Sequence, residues 1–328
     1  MSSVIVLIGA AFLDRLIGDP WGWLHPVQVM GWVIAKFTQF SLKHFKQTIA
    51  LRIAGTILAI GLIGGSGFIG WLCVQIANSL HPILGISVAS IMLASCFAGR
   101  SLNLAAQDVL QPLAHQDLTQ ARSRLSRYVG RDTANLSEKE ILRAVLETVT
   151  ENAIDGVMAP LFYAIAGAFM PIIGSVPLAL AYKAASTLDS MIGYRDPPYT
   201  DLGWFSAQLE DRLTWIPCRL AVITLALLSG KPQQIWRICR RDAHKDPSPN
   251  SGWSECAYAA VLDVQLGGIN WYQGVAKHKP LLADAINPIT SQKIQQALQL
   301  TRYCFLIWLT AAIAFDAALR VITCLLPK

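Results

Sequence analysis

The sequence predicts an all-α integral membrane protein with about four transmembrane helices, further re-entrant or interfacial helices, and cytoplasmic loops that are themselves helical. Three observations carry this. Of 328 residues, 53% are apolar and only 15% charged, against about 25% charged in a soluble domain. Residues 53–77, 82–98 and 306–326 are apolar runs near the length of about 20 residues that a spanning helix needs. Lys and Arg number five in the 14–52 loop, seven in the 100–157 insert and none in the 78–82 turn. By the positive-inside rule, the two large loops are then cytoplasmic and the short turn is external.

Residues 4–13 form a short apolar first helix. No basic residue precedes it, so it reads as a retained helix rather than a cleaved signal. Gly18-Asp19-Pro20 ends it as a turn, and Trp21, Trp23 and Trp32 suit an interface belt. The 53–77 run holds Gly61-x-x-x-Gly65, a small-residue face for close helix packing. Residues 82–98 follow so closely that the two runs form a hairpin. In the 306–326 run, Asp316 and Arg320 are four apart and pair within the helix.

The 100–157 insert is polar and helical. Leu118, Ala121, Leu125 and Tyr128 repeat at helical spacing, and Ser137-x-x-Glu140 is a capping box. The helix it opens is expected to end at Asp155-Gly156. Residues 158–182 are long enough to span, but Pro160, Pro171, Gly174 and Pro177 interrupt them, as does Pro217 in the 213–228 run. Re-entrant or interfacial helices are expected for both. Ser248–Trp253 is a turn into a helix expected to end at Gly267-Gly268. The organisation is one polytopic membrane domain over 1–328, carrying the helical insert 100–157 and a cytoplasmic loop 230–302.

The net charge of +6 is spread over loops, which fits an anionic membrane surface or anionic substrate and not nucleic acid. Seven scattered cysteines without C-x-x-C imply neither disulfides nor zinc. No P-loop, G-x-G-x-x-G or G-x-S-x-G occurs.

Polar residues crowd the 147–219 stretch. Glu147, Glu151 and Asp155 make an acidic stripe four residues apart, which costs about 0.2–0.5 kcal/mol per like-charged pair. The stripe reads structurally as a solvated face with Arg143 offsetting Glu147, and functionally as a Mg²⁺ site. Lys183 and Asp189 lie on a second helix that ends at Gly193; Lys183 either snorkels or binds an anion. Arg212 and Arg219, seven apart, share a helical face and suit phosphate, with pairing of Arg219 to a carboxylate as the structural alternative. The Ser248–Trp253 helix start is either an anion site or an ordinary cap.

Several motifs occur together in one order: Gly18-Asp19-Pro20 with His25-Pro26-Val27, Val129-Gly130-Arg131-Asp132, and Glu151-Asn152-Ala-Ile-Asp155-Gly156. Lys183, Thr187-Leu188-Asp189-Ser190-Met191, Glu210-Asp211-Arg212, Pro217-x-Arg219, Ser248-Pro249-Asn250-Ser251-Gly252-Trp253-x-Glu255 and Leu266-Gly267-Gly268 follow. With these the chain resembles the adenosylcobinamide-phosphate synthase family, CbiB or CobD, membrane enzymes of cobalamin biosynthesis. It departs at Ser186, Glu210 and Cys218, none of which removes a charge.

The resemblance implies ATP-dependent amide formation between a propionate of adenosylcobyric acid and aminopropanol, its O-phosphate or an ethanolamine analogue. It implies Mg²⁺, ATP as co-substrate, membrane lipid around the protein, contact with other enzymes of the pathway, and an inner-membrane location with a cytoplasmic site. Glu151, Asp155 and Asp189 would then supply metal ligands or a base, with Asp211 in the catalytic set. Arg131, Lys183, Arg212 and Arg219 would hold phosphates, and Asn152, Ser190, Asn250 and Ser251 would orient substrate. Asp19 and His25 would complete the site or meet the corrinoid. A transporter, or a membrane phosphotransferase acting on an alcohol headgroup, is the rival class.

Overall fold

The computed structural model describes residues 3–18 and 25–325. The candidate Asp19 lies outside the described residues. In chain order the first helices are α1 (Ser3–Leu16), α2 (Pro26–His44), α3 (Thr48–Leu80), α4 (Pro82–Ala94), α5 (Gly99–Ala114), α6 (Leu118–Leu125) and α7 (Glu138–Asn152). A π-helical segment, Ala153–Met158, leads into α8 (Ala159–Ala168), then α9 (Ser175–Ile192), α10 (Trp204–Leu228), α11 (Pro232–Asp242) and α12 (Ser251–Leu262). Strands β1 (Leu266–Tyr272) and β2 (Val275–Leu282) precede the last helix, α13 (Ser291–Leu325).

The chain divides into two compact units. One comprises residues 1–98, 159–213 and 306–328, and the other 99–158 and 214–305. The polar insert and the second loop, far apart in sequence, thus fall in one unit, called here the polar unit. Helices α10 and α13 contribute to both.

Within the first unit, three features of the sequence take shape. The turn at His81 is tight because His81 Nδ1 accepts from the Ile83 amide at 3.2 Å, capping α4 directly after α3. Among the described residues, three helical stretches are long and apolar enough to cross a membrane: Thr48–Leu80, Pro82–Ala114 and Ser291–Thr323. That is one fewer than the four expected, because α1 has 14 residues and a span needs about 20. Only 22% of the apolar window of α3 is buried, and Ile53, Ile57, Ile60, Phe68, Ile69 and Ile76 are exposed on it. An apolar surface that continuous suits lipid rather than water. The opposite side of α3 packs on α2 and α9 through Leu58, Ala59, Ile34, Leu188 and Ile192.

Residues 158–182 form a helical hairpin, α8 and α9, with an apolar tip where Ile172 is 88% exposed. The hairpin closes tightly at Gly167, where a Cβ would sit 2.3 Å from the Gly174 carbonyl oxygen. Gly174 itself has φ +87°, a region that favours glycine. Gly167→Ala is expected to splay the hairpin and lower the thermal midpoint of the detergent-solubilised protein, whereas Gly61→Ala, with nothing within 4 Å, should leave it unchanged.

In the polar unit two sequence expectations are corrected. First, the fold is not purely helical: β1 and β2 pair antiparallel from Leu266↔Leu282 to Tyr272↔Val275. Gln273 (φ 51°) and Gly274 (φ 78°) both take positive φ in the two-residue turn, the arrangement that matches strand twist in a hairpin. So α12 ends at Leu262, where Asp263 turns left-handed at φ 56°, and Gly267 and Gly268 belong to β1. Second, the helix opened by Ser137 does not stop at Gly156. The capping box forms as expected, but α7 passes through the π segment directly into α8. The wider turn re-aims Asp155 relative to Glu147 and Glu151, and such π turns are frequent at functional sites.

Candidate functional site

The polar unit is built around Glu147, which is 1% exposed. Its carboxylate accepts from Arg131 at 2.5 Å, from Arg143 at 3.1 Å and from the Gly267 amide at 3.1 Å. Arg143 continues to the Gly267 and Ile269 carbonyls and to Asn270 Oδ1, and Arg131 also donates to Asn270 Oδ1 at 2.9 Å. One buried acid therefore fastens α7 to β1. Of the structural alternative read from the sequence, the pairing of Arg143 with Glu147 is present, but Glu147 is enclosed rather than solvated. Burial raises the Glu147 carboxyl, but Arg131, Lys279 and Arg143 outweigh it and hold the group below its ordinary range. Beside it, Asp132 accepts from the Gln273 and Gly274 amides at 3.1 and 2.8 Å. The Val129–Asp132 motif is thereby a clasp for the hairpin.

Glu151, one turn further along α7, is exposed; Ser251 Oγ approaches it at 3.4 Å. Asn152 donates to the Thr148 carbonyl of its own helix at 2.9 Å. At the start of α12, Asn250 is 4% exposed and does not cap the helix with its side chain. Its Oδ1 accepts instead from Arg219 at 2.8 Å. The Arg219 guanidinium lies 5.0 Å from both the Trp215 and Trp253 rings, a doubly stacked cation. Ser248 Oγ takes the Asn250 and Ser251 amides at 3.4 and 3.2 Å. The helix start is thus capped by Ser248.

Two residues that the sequence reading left unassigned, Glu255 and Lys279, complete this unit. Glu255 of α12 is fully buried, and Lys279 of β2 donates to its Oε1 at 2.6 Å. Burial pushes the Glu255 carboxyl up to about 8 against the pull of Lys279, with Glu147 and Glu151 adding to the rise. Because the folded chain holds that proton more tightly, the stability it contributes is fully present below the ordinary value of 4.5 and lost as pH rises toward about 8. Glu255→Gln is expected to flatten this decline, which denaturation midpoints at about pH 5 and about pH 8 will register. The signal for Lys279 was in the sequence: Ile269 and Trp271 alternate with polar residues before Gln273-Gly274, a hairpin pattern.

The remaining candidates lie in the first unit. His25 caps α2, its Nδ1 accepting from the Val27 amide at 3.3 Å. Lys183, Asp189 and Ser190 are on α9, which ends at Gly193 as the sequence indicates. A Cβ on Gly193 would meet Asp189 Oδ1 at 2.0 Å, so the missing side chain makes room for that carboxylate. Ser190 Oγ donates to the Thr187 carbonyl at 3.0 Å. On α10, Glu210 is buried and accepts from Tyr182 at 3.4 Å. Arg212 is exposed and Asp211 half-buried; burial raises the Asp211 carboxyl while Arg195 lowers it. Glu151 and Asp155 belong to the polar unit and Asp189 to the other. Among the described residues, no three His, Cys, Asp or Glu side chains gather into a metal-binding set.

These features define a helical membrane protein that carries a separate polar unit held by buried ion pairs. A family model described as "CobD/Cbib protein" matches residues 7–301, and the chain belongs to that family. It is 54% identical over 319 residues to "Cobalamin biosynthesis protein CobD" of Synechocystis sp., covering 96% of this chain and 93% of that one. It is 40% identical over 292 residues to "Cobalamin biosynthesis protein CbiB" of Salmonella arizonae, covering 88% and 89%. A CobD of Halalkalibacterium halodurans is 40% identical over 302 residues, with 90% and 91% covered. No solved structure matches the chain.

Proposed function

We propose that this protein acts in cobalamin biosynthesis as an ATP-dependent amide synthase. It would join aminopropanol, its O-phosphate or an ethanolamine analogue to a propionate of adenosylcobyric acid, at the cytoplasmic face of the inner membrane. The observation that carries the reading is the end-to-end similarity to proteins named for cobalamin biosynthesis, 54% over 96% of the chain in one case.

The chemistry sets what the residues must do. A carboxylate resists attack by an amine, so ATP activates it: a carboxylate oxygen attacks the γ-phosphorus, ADP leaves, and an acyl phosphate forms. The amine then attacks the acyl carbon, phosphate leaves, and the nitrogen gives up its extra protons to a base. Asp211, half-buried with its carboxyl raised by burial, joins Glu151, Asp155 and Asp189 as a candidate for that base. Lys183 and Arg212 are the candidates in the first unit to hold phosphates. In the polar unit, Arg131 is committed to Glu147, and Arg219 to Asn250 and two tryptophans; both serve the site by positioning.

Magnesium arriving with ATP needs only one or two protein carboxylates and keeps its other places for phosphate and water. The exposed Glu151, whose side chain makes one hydrogen bond among the described residues, the long contact from Ser251, fits that demand, and Asp155 and Asp189 remain candidates for it. The bound ion would neutralise phosphate charge. The test is incubation of the purified protein with adenosylcobyric acid, ATP, Mg²⁺ and aminopropanol phosphate. Stoichiometric amide and ADP support the reading, and corrinoid flux into vesicles without chemistry refutes it.

A further inference from the structure

The proposed synthase needs cations for phosphoryl groups, and the partly enclosed cations of the polar unit include Arg131, Arg143, Arg219 and Lys279. Arg131 and Arg143 are spent on Glu147, Asn270 and the β1 carbonyls. Arg219 is stacked between two rings and bonded to Asn250. Lys279 differs. Its ammonium has three donors, and among the described residues it makes one hydrogen bond, to Glu255 Oε1. Its side chain is 22% exposed while Glu255 is at 0%, so one end of the pair is reachable and the other is not.

The pair is also incomplete as a structural device. Glu255 Oε2 is buried and has no hydrogen-bond partner among the described residues, which a salt bridge kept for stability alone would not leave. Glu147, whose charge also acts on Lys279, is paired with two arginines of its own. Glu151 is exposed beside it, where a phosphate-bound magnesium would offset its charge.

Resting on the synthase reading above, we propose that Lys279 is a phosphoryl-binding residue of the site, with Glu255 as the positioning residue that holds it in place until an anion arrives. The ligand chemistry is a phosphoryl oxygen, from ATP or from the amino alcohol phosphate. The test uses the full chain in detergent, with binding of Mg²⁺-ATP and of aminopropanol phosphate measured calorimetrically and amide formation measured separately.

Lys279→Gln is expected to weaken one of the two ligands about tenfold or more, the loss of one charged hydrogen bond, and Lys279→Arg to restore most of it. Weakened ATP identifies the nucleotide as the source, and weakened aminopropanol phosphate the amino alcohol. If Lys279→Gln does not fold, the double variant Glu255→Gln with Lys279→Gln replaces the ion pair by a neutral one and is measured in the same way. Affinities within about twofold of wild type for both ligands, in a folded variant, overturn the proposal. If the wild-type protein binds both ligands but forms no amide, the synthase reading fails while the role of Lys279 in binding is still decided.

Discussion

Glu147→Ala is expected to destabilise the polar unit by about 3–5 kcal/mol, the usual result of removing one partner from a buried charge network. Two arginines depend on this carboxylate, Arg131 with a side chain 9% exposed and Arg143 at 13%. Neither reaches water easily once the carboxylate is gone. The Gly267 amide loses its acceptor as well, so the hairpin should detach from α7 at β1. Denaturation of the purified chain checks the magnitude. Glu147→Gln, which keeps an acceptor but not the charge, should fall between the variant and wild type. A loss below about 1 kcal/mol, the range of surface pairs, would mean that Glu147 does not hold this unit together.

The second large effect is on chemistry. Asp155→Asn and Asp189→Asn each remove a charge with little change of shape, and each is expected to lower amide formation by about 10²–10⁴-fold, the range for loss of an acid–base group. Asp155 sits in the π segment, and Asp189 rests in the space left by Gly193. The loss of stability should stay below that of Glu147→Ala, which separates these variants from it. Wild-type turnover in either one removes that residue from the catalytic set.

The helices were legible in the sequence where local signals act alone. The Ser137–Glu140 box, the Gly193 stop of α9 and the apolar runs of α3 and α13 all have causes within a few residues. What escaped has causes at a distance. Glu147 reads as part of an acidic stripe until Arg131, 16 residues away, and Gly267, 120 residues away, are placed against it. Likewise the partners of Arg219, Asn250 and Trp253, come from a distant helix start that its own helix does not announce. The π turn leaves no strong local mark, because Ala153–Met158 joins the mixed sequence of α7 to the apolar α8 with Asp155 as its one charged residue. The hairpin of β1 and β2 had a readable turn in Gln273-Gly274, masked by the expectation that Gly267-Gly268 closed a helix.

The family assignment carries the biological setting, and the buried ion pairs account for how the polar unit holds its shape. The measurement that tests the central claim most directly is product analysis with the purified protein, adenosylcobyric acid, Mg²⁺-ATP and aminopropanol phosphate, resolved by mass spectrometry with ADP quantified in parallel. The account predicts one new amide bond per ADP released, absent without ATP. Unchanged corrinoid in the presence of folded protein and all four components would contradict it.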